Sequence, residues 1–321
     1  EENKRWTLSL YNAIHGTSYN DVSCITINTI EDVVYMGMKN DLSILVSETV
    51  SLYRPMELYE QQSSYNPNMP VRAFMYAGKL YDKFIHSAKL NRYGKKLLPL
   101  PLPKLVVFYN GEEDKEDQAI LSLRDAFRAE IRQNVSRSCK NRGEFHEADV
   151  AAQVDRIFQE ADPDIEVKVR MININYGHNR EMLSMCRPLG EYAWFIANVR
   201  KNLADDKAGT APVGIEYAID QAIDKMPEDF EIKNFIVANR AEVKDMCLTE
   251  YNEMETMEML RLEGKQEGLQ EGLQEGWQNA MLLSIKNLME STDLTADKVM
   301  DLLKIPLNQR TVFHTELSKN I

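Results

Sequence analysis

The spacing of apolar residues over the first third of the chain alternates between the period of strands and that of a helix. Runs rich in aliphatic and aromatic residues predict strands over 41–46, 56–64 and 103–111. Between the last two runs, apolar residues recur every three or four positions and predict a helix over 71–90. These apolar residues are Phe74, Ala77, Leu80, Tyr81, Phe84 and Ile85. The predicted order in this block is therefore strand, strand, helix, strand.

The same patterns continue on both sides of this block. We expect a short amphipathic helix over 3–15 and a strand over 22–27, whereas the pattern over 30–40 is ambiguous. The remaining predictions are helices over 121–134, 148–160, 181–203, 215–225 and 232–244, and a strand over 165–174. The predicted fold class is α/β, a mixed sheet flanked by helices with a helical C-terminal extension. We expect a first domain over 1–246 and the extension over 247–321.

The extension is predicted to be largely one helix, and its centre repeats Glu-Gly every four residues. Glycine in a helix costs roughly 1 kcal/mol relative to alanine, so the repeat needs an explanation. The repeat forms one stripe of glycines beside a line of apolar residues, namely Gly264, Gly268, Gly272 and Gly276 beside Leu269, Leu273 and Trp277. Two interpretations stay open: a solvated, charged linker, or a smooth surface through which two copies form a homodimer.

Composition narrows the class of protein. A chain of 321 residues with 44% hydrophobic content can bury a full core. No stretch approaches the roughly 18 apolar residues that a membrane span requires, and no basic-then-apolar segment indicates a secretory signal. Four scattered cysteines without a C-x-x-C pair predict reduced thiols. We therefore expect a cytoplasmic protein that does not bind membranes. Because residue 1 is Glu, we also expect residues to precede it.

The charge is unevenly distributed. A net charge of −12 argues against a general nucleic-acid coat protein. Residues 1–112 carry 12 Lys and Arg against 11 Asp and Glu, whereas the remaining residues carry 26 against 39. The block of predicted strands is thus near neutral. Since affinity for DNA depends on the phosphates that are neutralised, a local basic surface on this block is sufficient for binding.

Carboxylate and amide side chains stand in two of the predicted strands. Asp41 opens one strand, and Glu60 and Gln62 stand two residues apart in the next. Because side chains alternate along a strand, Glu60 and Gln62 share one face. Hard cations such as Mg²⁺ bind one or two carboxylates and retain places for water and phosphate. Asp41 and Glu60 are therefore candidate ligands of Mg²⁺ or Mn²⁺, and the alternatives are an Asp at a strand edge and a solvent-facing Glu.

Longer stretches resemble a known family. They are NKRWTLSLYNAIHGTSY, YMGMKNDLSILV, LYEQQSSYNPNMPVR, LPKLVVFYNGE, NINYGHN, RAEVKDMCLTEYNE and the tail GKQEGLQEGLQEG. Together they are similar to the recombination-promoting nuclease and transposase branch of the PD-(D/E)xK superfamily. The resemblance covers most of the chain. It implies a bacterial protein whose residues 1–246 have a restriction-endonuclease-like fold, and a Mg²⁺-dependent DNA endonuclease that promotes recombination or transposition.

The same resemblance implies that Asp41, Glu60 and Gln62 form the active site. Gln62 stands where many members of the superfamily have Lys. A Gln side chain can orient water and donate a hydrogen bond, but it supplies no charge. An alternative function from another class is therefore a catalytically weak nuclease-fold module that binds DNA or protein and assembles through its C-terminal helix.

Several basic residues are candidates for contacts with DNA phosphates. Arg72 opens the helix that follows the Glu60 strand. Arg124, Arg128 and Arg132 are spaced by four and share a helix face, for which the alternative is a solvated face paired with nearby acids. His178 stands between Gly and Asn, a context that favours a turn over a catalytic role.

Overall fold

The computed structural model describes residues 2–27, 42–47, 54–142, 146–207 and 214–318. The strands are β1 (Ile25–Ile27), β2 (Leu42–Val46), β3 (Met56–Gln62), β4 (Pro103–Tyr109), β5 (Gln118–Ser122) and β6 (Lys168–Asn173). The helices are α1 (Glu2–His15), α2 (Met69–Ser87), α3 (Leu123–Arg142), α4 (Glu147–Ala161), α5 (Arg180–Met185), α6 (Arg187–Lys207), α7 (Ile215–Asp224), α8 (Lys233–Ala238), α9 (Arg240–Thr292), α10 (Ala296–Leu302) and α11 (Leu307–Ser318). The chain divides into two compact units, Glu1–Asn252 and Glu253–Ile321.

The first unit contains a six-stranded mixed sheet in the order β1-β2-β3-β4-β6-β5. β2 pairs antiparallel with β1 and with β3, whereas β4 pairs parallel with β3 and with β6. β5 closes the other edge by antiparallel pairing with β6. The prediction of an α/β fold with a mixed sheet flanked by helices and a helical C-terminal region is confirmed.

Alternation along β3 sends its side chains into two different cores. On one face, Met56 and Leu58 pack with residues of α2, including Met69 and Tyr76. On the other face, Tyr59 packs with residues of α1, including Leu8 and Tyr11, and of α6. The helix over 71–90 that the sequence predicts is α2, and its buried residues recur at helical spacing. β3 is thus a central strand with helices on both faces.

Four elements differ from the predicted pattern. The first half of the strand expected over 22–27 is a short 3-10 helix, Val22–Cys24, and only Ile25–Ile27 form β1. β5 was not predicted, because Ile120 is 59% exposed at the sheet edge and its pairing with Arg170 is a tertiary contact. The helix expected over 181–203 is two helices that meet at Cys186. The helix expected over 232–244 is interrupted at Asn239, between α8 and α9.

The second unit is helical and has its own small core. Ile285, Val299, Met300, Ile305 and Phe313 are buried together. The ring of Trp277 lies edge-on to that of Phe313, with 6.0 Å between the centroids. These contacts pack the last part of α9 against α10 and α11.

The Glu-Gly repeat lies within α9, as predicted for a continuous helix. A methyl group at any of its glycines would meet no described atom within 4 Å. Leu269 and Leu273 are 64% and 66% exposed. The stripe is therefore an open surface of a single chain. Across the described residues, no helix combines the length and apolar character needed to cross a membrane.

Candidate active site

Glu60 and Gln62 lie on the face of β3 that α2 covers. Glu60 is 3% exposed, and Gln62 is also buried. The Gln62 amide donates a hydrogen bond from Nε2 to Sδ of Met69, in the first turn of α2, over 2.8 Å. The other amide atom of Gln62 is an oxygen, which can accept a hydrogen bond from water or serve as a ligand of a hard cation. Two oxygen-bearing side chains therefore share one buried face near the carboxyl end of β3.

Arg72 brings a positive charge to this pair. Its guanidinium Nη2 lies 3.3 Å from Oε2 of Glu60. The Glu60 side chain is almost fully buried, whereas that of Arg72 is 44% exposed. The position of Arg72 follows from α2, whose first turn begins at Met69 beside Gln62. Since an isolated buried carboxylate is costly, the contact with Arg72 helps to compensate the charge of Glu60 at this edge of the sheet.

The segment after β4 closes tightly on the end of β3. The backbone N–H of Asn110 donates to the carbonyl of Gln62 over 3.0 Å. A Cβ at Gly111 would lie 2.6 Å from the carbonyl oxygen of Ser63, so only glycine fits at this approach. The backbone that follows Gln62 is therefore held in one position by its neighbours.

Asp41, the other predicted ligand, lies outside the described residues. β2 begins at Leu42, the residue after Asp41. Leu42 pairs with Tyr59, the residue before Glu60. The described part of β2 thus ends opposite the residue before Glu60.

The opposite face of β3 carries a different polar group. Gln61 donates from Nε2 to the hydroxyl of Tyr192 on α6 over 2.7 Å, and the Asn110 amide contacts the same hydroxyl at 3.5 Å. Arg200 on α6 donates to Oδ1 of Asn175 over 2.8 Å and also to the carbonyl of Asn110. This network fastens α6 to the carboxyl ends of the parallel strands. No local pattern in the sequence predicts this network, because its members come from distant segments.

Glu57 is a second buried acid on β3, and sequence reasoning missed it. Its side chain is fully buried, and its Oε1 lies 3.0 Å from Nε2 of His15 at the end of α1. Tyr59 lies on the same face, where burial first and the charge of Glu57 second raise the pKa of its phenol well above the ordinary value. Alternation would have placed Glu57 on the face opposite Glu60. The two acids therefore belong to separate surroundings.

The predicted Arg stripe on α3 is paired with acids. Arg128 lies 2.6 Å from Asp155 on α4, and Arg132 pairs with Glu147 at the start of α4. Arg124 lies 4.0 Å from Glu166. The guanidinium groups of Arg124 and Arg128 also stack on the ring of Phe158, at 4.8 and 4.7 Å. These contacts fasten α3 to α4, and binding of DNA by this stripe stays a prediction.

His178 lies in the turn after β6, and its Nδ1 lies 2.7 Å from Oδ1 of Asp117, just before β5. Both residues lie at the β5 and β6 side of the sheet, whereas Glu60 and Gln62 lie on β3. His178 therefore ties two strand ends together.

The donor types at the Glu60 face fit a hard divalent cation, since a carboxylate and an amide oxygen are ligands that Mg²⁺ accepts. Within the part of the chain that the structure describes, no group of three or more His, Cys, Asp and Glu side chains is placed to hold a metal ion. Asp41, the second carboxylate that the sequence predicts for this site, lies outside the described residues.

No protein-family model, curated protein or solved structure matches the chain.

Proposed function

We propose that this protein is a metal-dependent DNA endonuclease of the PD-(D/E)xK type, which hydrolyses phosphodiester bonds and promotes recombination or transposition. One observation carries the proposal: Glu60 and Gln62 are buried together on one face of β3, with Arg72 at the carboxylate. The order of elements supports it, because β2, β3, α2 and β4 follow one another as strand, strand, helix, strand. The stretches that resemble the nuclease family contain these residues.

Each residue has a separate task in this proposal. Asp41 and Glu60 would hold Mg²⁺ or Mn²⁺, and the chemistry that the cation would supply is Lewis-acid activation of the phosphate and of a water. Gln62 orients the attacking water through its amide. The close approach of Gly111 to the Ser63 carbonyl holds the backbone just after Gln62, and the hydrogen bond to Met69 orients the Gln62 side chain. Such preorganisation is the usual source of catalytic benefit from a hydrogen bond.

Arg72 supplies the charge that Gln62 lacks. In relatives with Lys at this position, the ammonium offers positive charge to the phosphate. Here the guanidinium of Arg72 lies beside Glu60 and is partly exposed, so it can hydrogen-bond a phosphate oxygen as well. We therefore propose that Arg72 contacts DNA at the phosphate that reacts.

Nicking of supercoiled plasmid with and without Mg²⁺ tests the function. Glu60→Gln should reduce the Mg²⁺-dependent rate by about 100-fold or more, the scale seen when one preorganised catalytic group is lost. Glu57→Gln is the matched control, since it removes a buried carboxylate from the same strand on the other face. A Glu60→Gln protein that nicks like the parent chain contradicts the proposal, provided that thermal unfolding shows both variants folded.

One observation favours the alternative function. The Glu60 carboxylate is already paired with Arg72, and a cation at Glu60 competes with that ion pair. A catalytically weak module that binds DNA or protein, with α9 as its assembly helix, is the second candidate. Absence of any Mg²⁺-dependent nicking together with retained DNA binding would favour it.

The proposed partners are DNA and a second copy of the chain. Support for the second copy comes from the exposed Leu269 and Leu273 beside the open glycine stripe of α9. We also place the protein in the cytoplasm, because all four cysteines are buried free thiols.

A further inference from the structure

Residues 72–104 carry a concentrated positive charge. This segment contains eight Lys and Arg against one acid, Asp82, a net charge of +7 in a chain of net charge −12. It comprises α2 from Arg72 onward and the connection to the start of β4. Charge of one sign gathered on one segment of an acidic protein indicates a surface for a partner of opposite sign.

The basic residues of α2 lie along one side of the helix. At about 100° per residue, Arg72, Lys79, Lys83 and His86 fall within about 60° of the circumference. This stripe flanks the buried face that packs on the sheet. Its length from Arg72 to His86 is about 21 Å at 1.5 Å per residue. Since Arg72 contacts Glu60, one end of the stripe lies at the candidate active site.

The connection after α2 continues this charge in an ordered form. Lys89 ends the helix in the left-handed region, with φ of 52°, and its N–H donates to the carbonyl of His86. A turn follows in which Tyr93 N–H donates to Oδ1 of Asn91, and Tyr81 Oη donates to the carbonyl of Pro101 over 2.8 Å. The backbone of this connection is therefore fastened at both ends.

The lysines of the connection point their charge at solvent. Lys89, Lys95 and Lys96 are exposed. No carboxylate among the described residues lies within 4 Å of any of these amines. By contrast, Arg92 is paired with Asp82 over 2.8 Å. The amines of Lys89, Lys95 and Lys96 are thus placed to neutralise negative charges of a partner.

We infer that Arg72, Lys79, Lys83, Lys89, Lys95 and Lys96 form one cationic track that binds the phosphate backbone of DNA and leads it to the Glu60 face. The statement that the track leads DNA to the Glu60 face rests on the proposed function. Binding of DNA by the track itself requires no metal. It identifies a surface that holds the substrate in addition to the predicted stripe on α3.

The shape of the track favours a linear polyanion over a membrane surface. Tyr93 and Leu97 are 88% and 93% exposed beside Lys95 and Lys96, and lipid headgroups attract such a combination. These two residues belong to the connection, and Phe74 and Met75 of α2 are also 46% and 38% exposed. The basic stripe nevertheless continues along α2 for about 21 Å. That length matches about six phosphates at 3.4 Å per step of one strand. Exposed Tyr93 also offers a ring on which an unpaired base can stack.

Fluorescence anisotropy of the full chain with a labelled duplex of about 20 base pairs, in EDTA, tests the track over about 50 to 200 mM salt. The variant combines Lys89→Gln, Lys95→Gln and Lys96→Gln. The matched control combines Lys265→Gln, Lys286→Gln and Lys298→Gln, which removes the same charge from the second unit. We expect the first variant to bind at least about tenfold more weakly at the lower salt. The slope of log K against log salt should fall by about 0.9 for each lysine that contacts a phosphate.

The outcomes separate this inference from the proposed function. Affinity and slope equal to those of the parent chain overturn the track, as does a parent chain that fails to bind the duplex in EDTA. Co-sedimentation with phosphatidylserine vesicles is measured for the same proteins. If the first variant loses co-sedimentation but binds the duplex like the parent chain, the surface binds membranes and the inference is overturned. If the parent chain binds through the track but never nicks DNA, the inference stands and the nuclease proposal fails. If it nicks normally and the first variant binds normally, the nuclease proposal stands alone.

Discussion

Arg72 and Glu60 join α2 to β3 through an ion pair of 3.3 Å in which the carboxylate is buried and the guanidinium is half-exposed. The pair places a fixed positive charge beside the only site where the sequence predicts metal chemistry. A cation that enters must share Glu60 with Arg72 or displace it. The balance between these two partners decides whether this face of the sheet is catalytic.

The coupling between the two residues is measurable in metal-free protein. Arg72→Met removes a partner of a buried carboxylate and should lower the free energy of unfolding by about 1 to 3 kcal/mol. Glu60→Gln should relieve most of that loss, so the double variant should be less destabilised than the sum of the two single variants. Urea unfolding of the four proteins gives the coupling energy. Strict additivity would show that the ion pair contributes nothing.

Gln62 offers a second test at the same face. Gln62→Lys introduces the residue common in the superfamily and should keep or raise the Mg²⁺-dependent nicking rate. Gln62→Ala removes both the amide and its hydrogen bond to Met69, and should lower the rate. Equal rates for the parent chain and both variants would identify Gln62 as a bystander. Thermal unfolding of each variant checks that the Met69 contact is not the cause of a lost rate.

Substitution of Asp41 should remove DNA cleavage without changing DNA binding. Asp41→Ala should abolish Mg²⁺-dependent nicking, because the site would keep a single carboxylate. The duplex affinity measured in EDTA should stay at the parent value, since the cationic track is intact. An Asp41→Ala protein that nicks plasmid at the parent rate would exclude Asp41 as a ligand.

The fold was predictable where the signal was local. The apolar spacing of residues 71–90 requires only neighbours on one helix, and α2 formed as expected. The strands that contain Met56 and Val107 are buried on both sides, so their composition alone indicated them. β5 was missed because Ile120 is exposed and its strand exists only through pairing with β6.

The candidate site was predictable only in part, for a geometric reason. Strand alternation placed Glu60 and Gln62 together from sequence. The ion pair of Glu60 with Arg72 depends on the rotation of α2 about its axis, which the residue order does not state. Similarly, Arg128 looked like a phosphate contact until α4 supplied Asp155 as its partner. Contacts between residues on different elements could therefore be identified only in the structure.

Asp220 predicts a pH dependence of stability. Its carboxylate lies 2.6 Å from Lys244 and 2.7 Å from Arg240, and these contacts, Lys244 first, lower the pKa of Asp220 below its ordinary value. A carboxylate with a lowered folded-state pKa stabilises the fold above its unfolded-state pKa, and this contribution disappears as the pH falls through the folded-state value.

Asp220→Asn should therefore cost up to about 1 kcal/mol at pH 7, as expected for a partly exposed network of charges. The difference from the parent chain should shrink below about pH 4, near the ordinary pKa of Asp. Urea unfolding at neutral and acidic pH measures both values. Asp224→Asn is the control, since Asp224 is more exposed and, among the described residues, forms an ion pair with Arg240 but none with Lys244. A difference that persists undiminished at acidic pH would show that the charge of Asp220 is not its source.

The C-terminal helix should hold two copies together. Leu269 and Leu273 are exposed beside glycines at which a methyl group would meet only open space. In a single helix, each glycine lowers helix stability by roughly 1 kcal/mol relative to alanine, and no contact offsets this loss. A second helix can approach closely along the glycine stripe and supply such contacts. Two copies also bring two single active sites to one DNA, which double-strand cutting requires. We therefore expect light scattering to show the full chain as a dimer.

Substitutions on this surface test the pairing directly. Leu269→Glu with Leu273→Glu should yield a monomer that still nicks DNA but cuts both strands poorly. Leu302→Glu with Leu307→Glu is the matched control, because those leucines lie outside the repeat and are at least as exposed. Alanine at Gly264, Gly268, Gly272 and Gly276 should stabilise the helix of a single chain by up to about 1 kcal/mol per site, yet weaken the dimer because methyl groups separate the helices. A parent chain that stays monomeric at high concentration, or a glycine-to-alanine variant that pairs more tightly, would leave the repeat as a solvated helix without a partner.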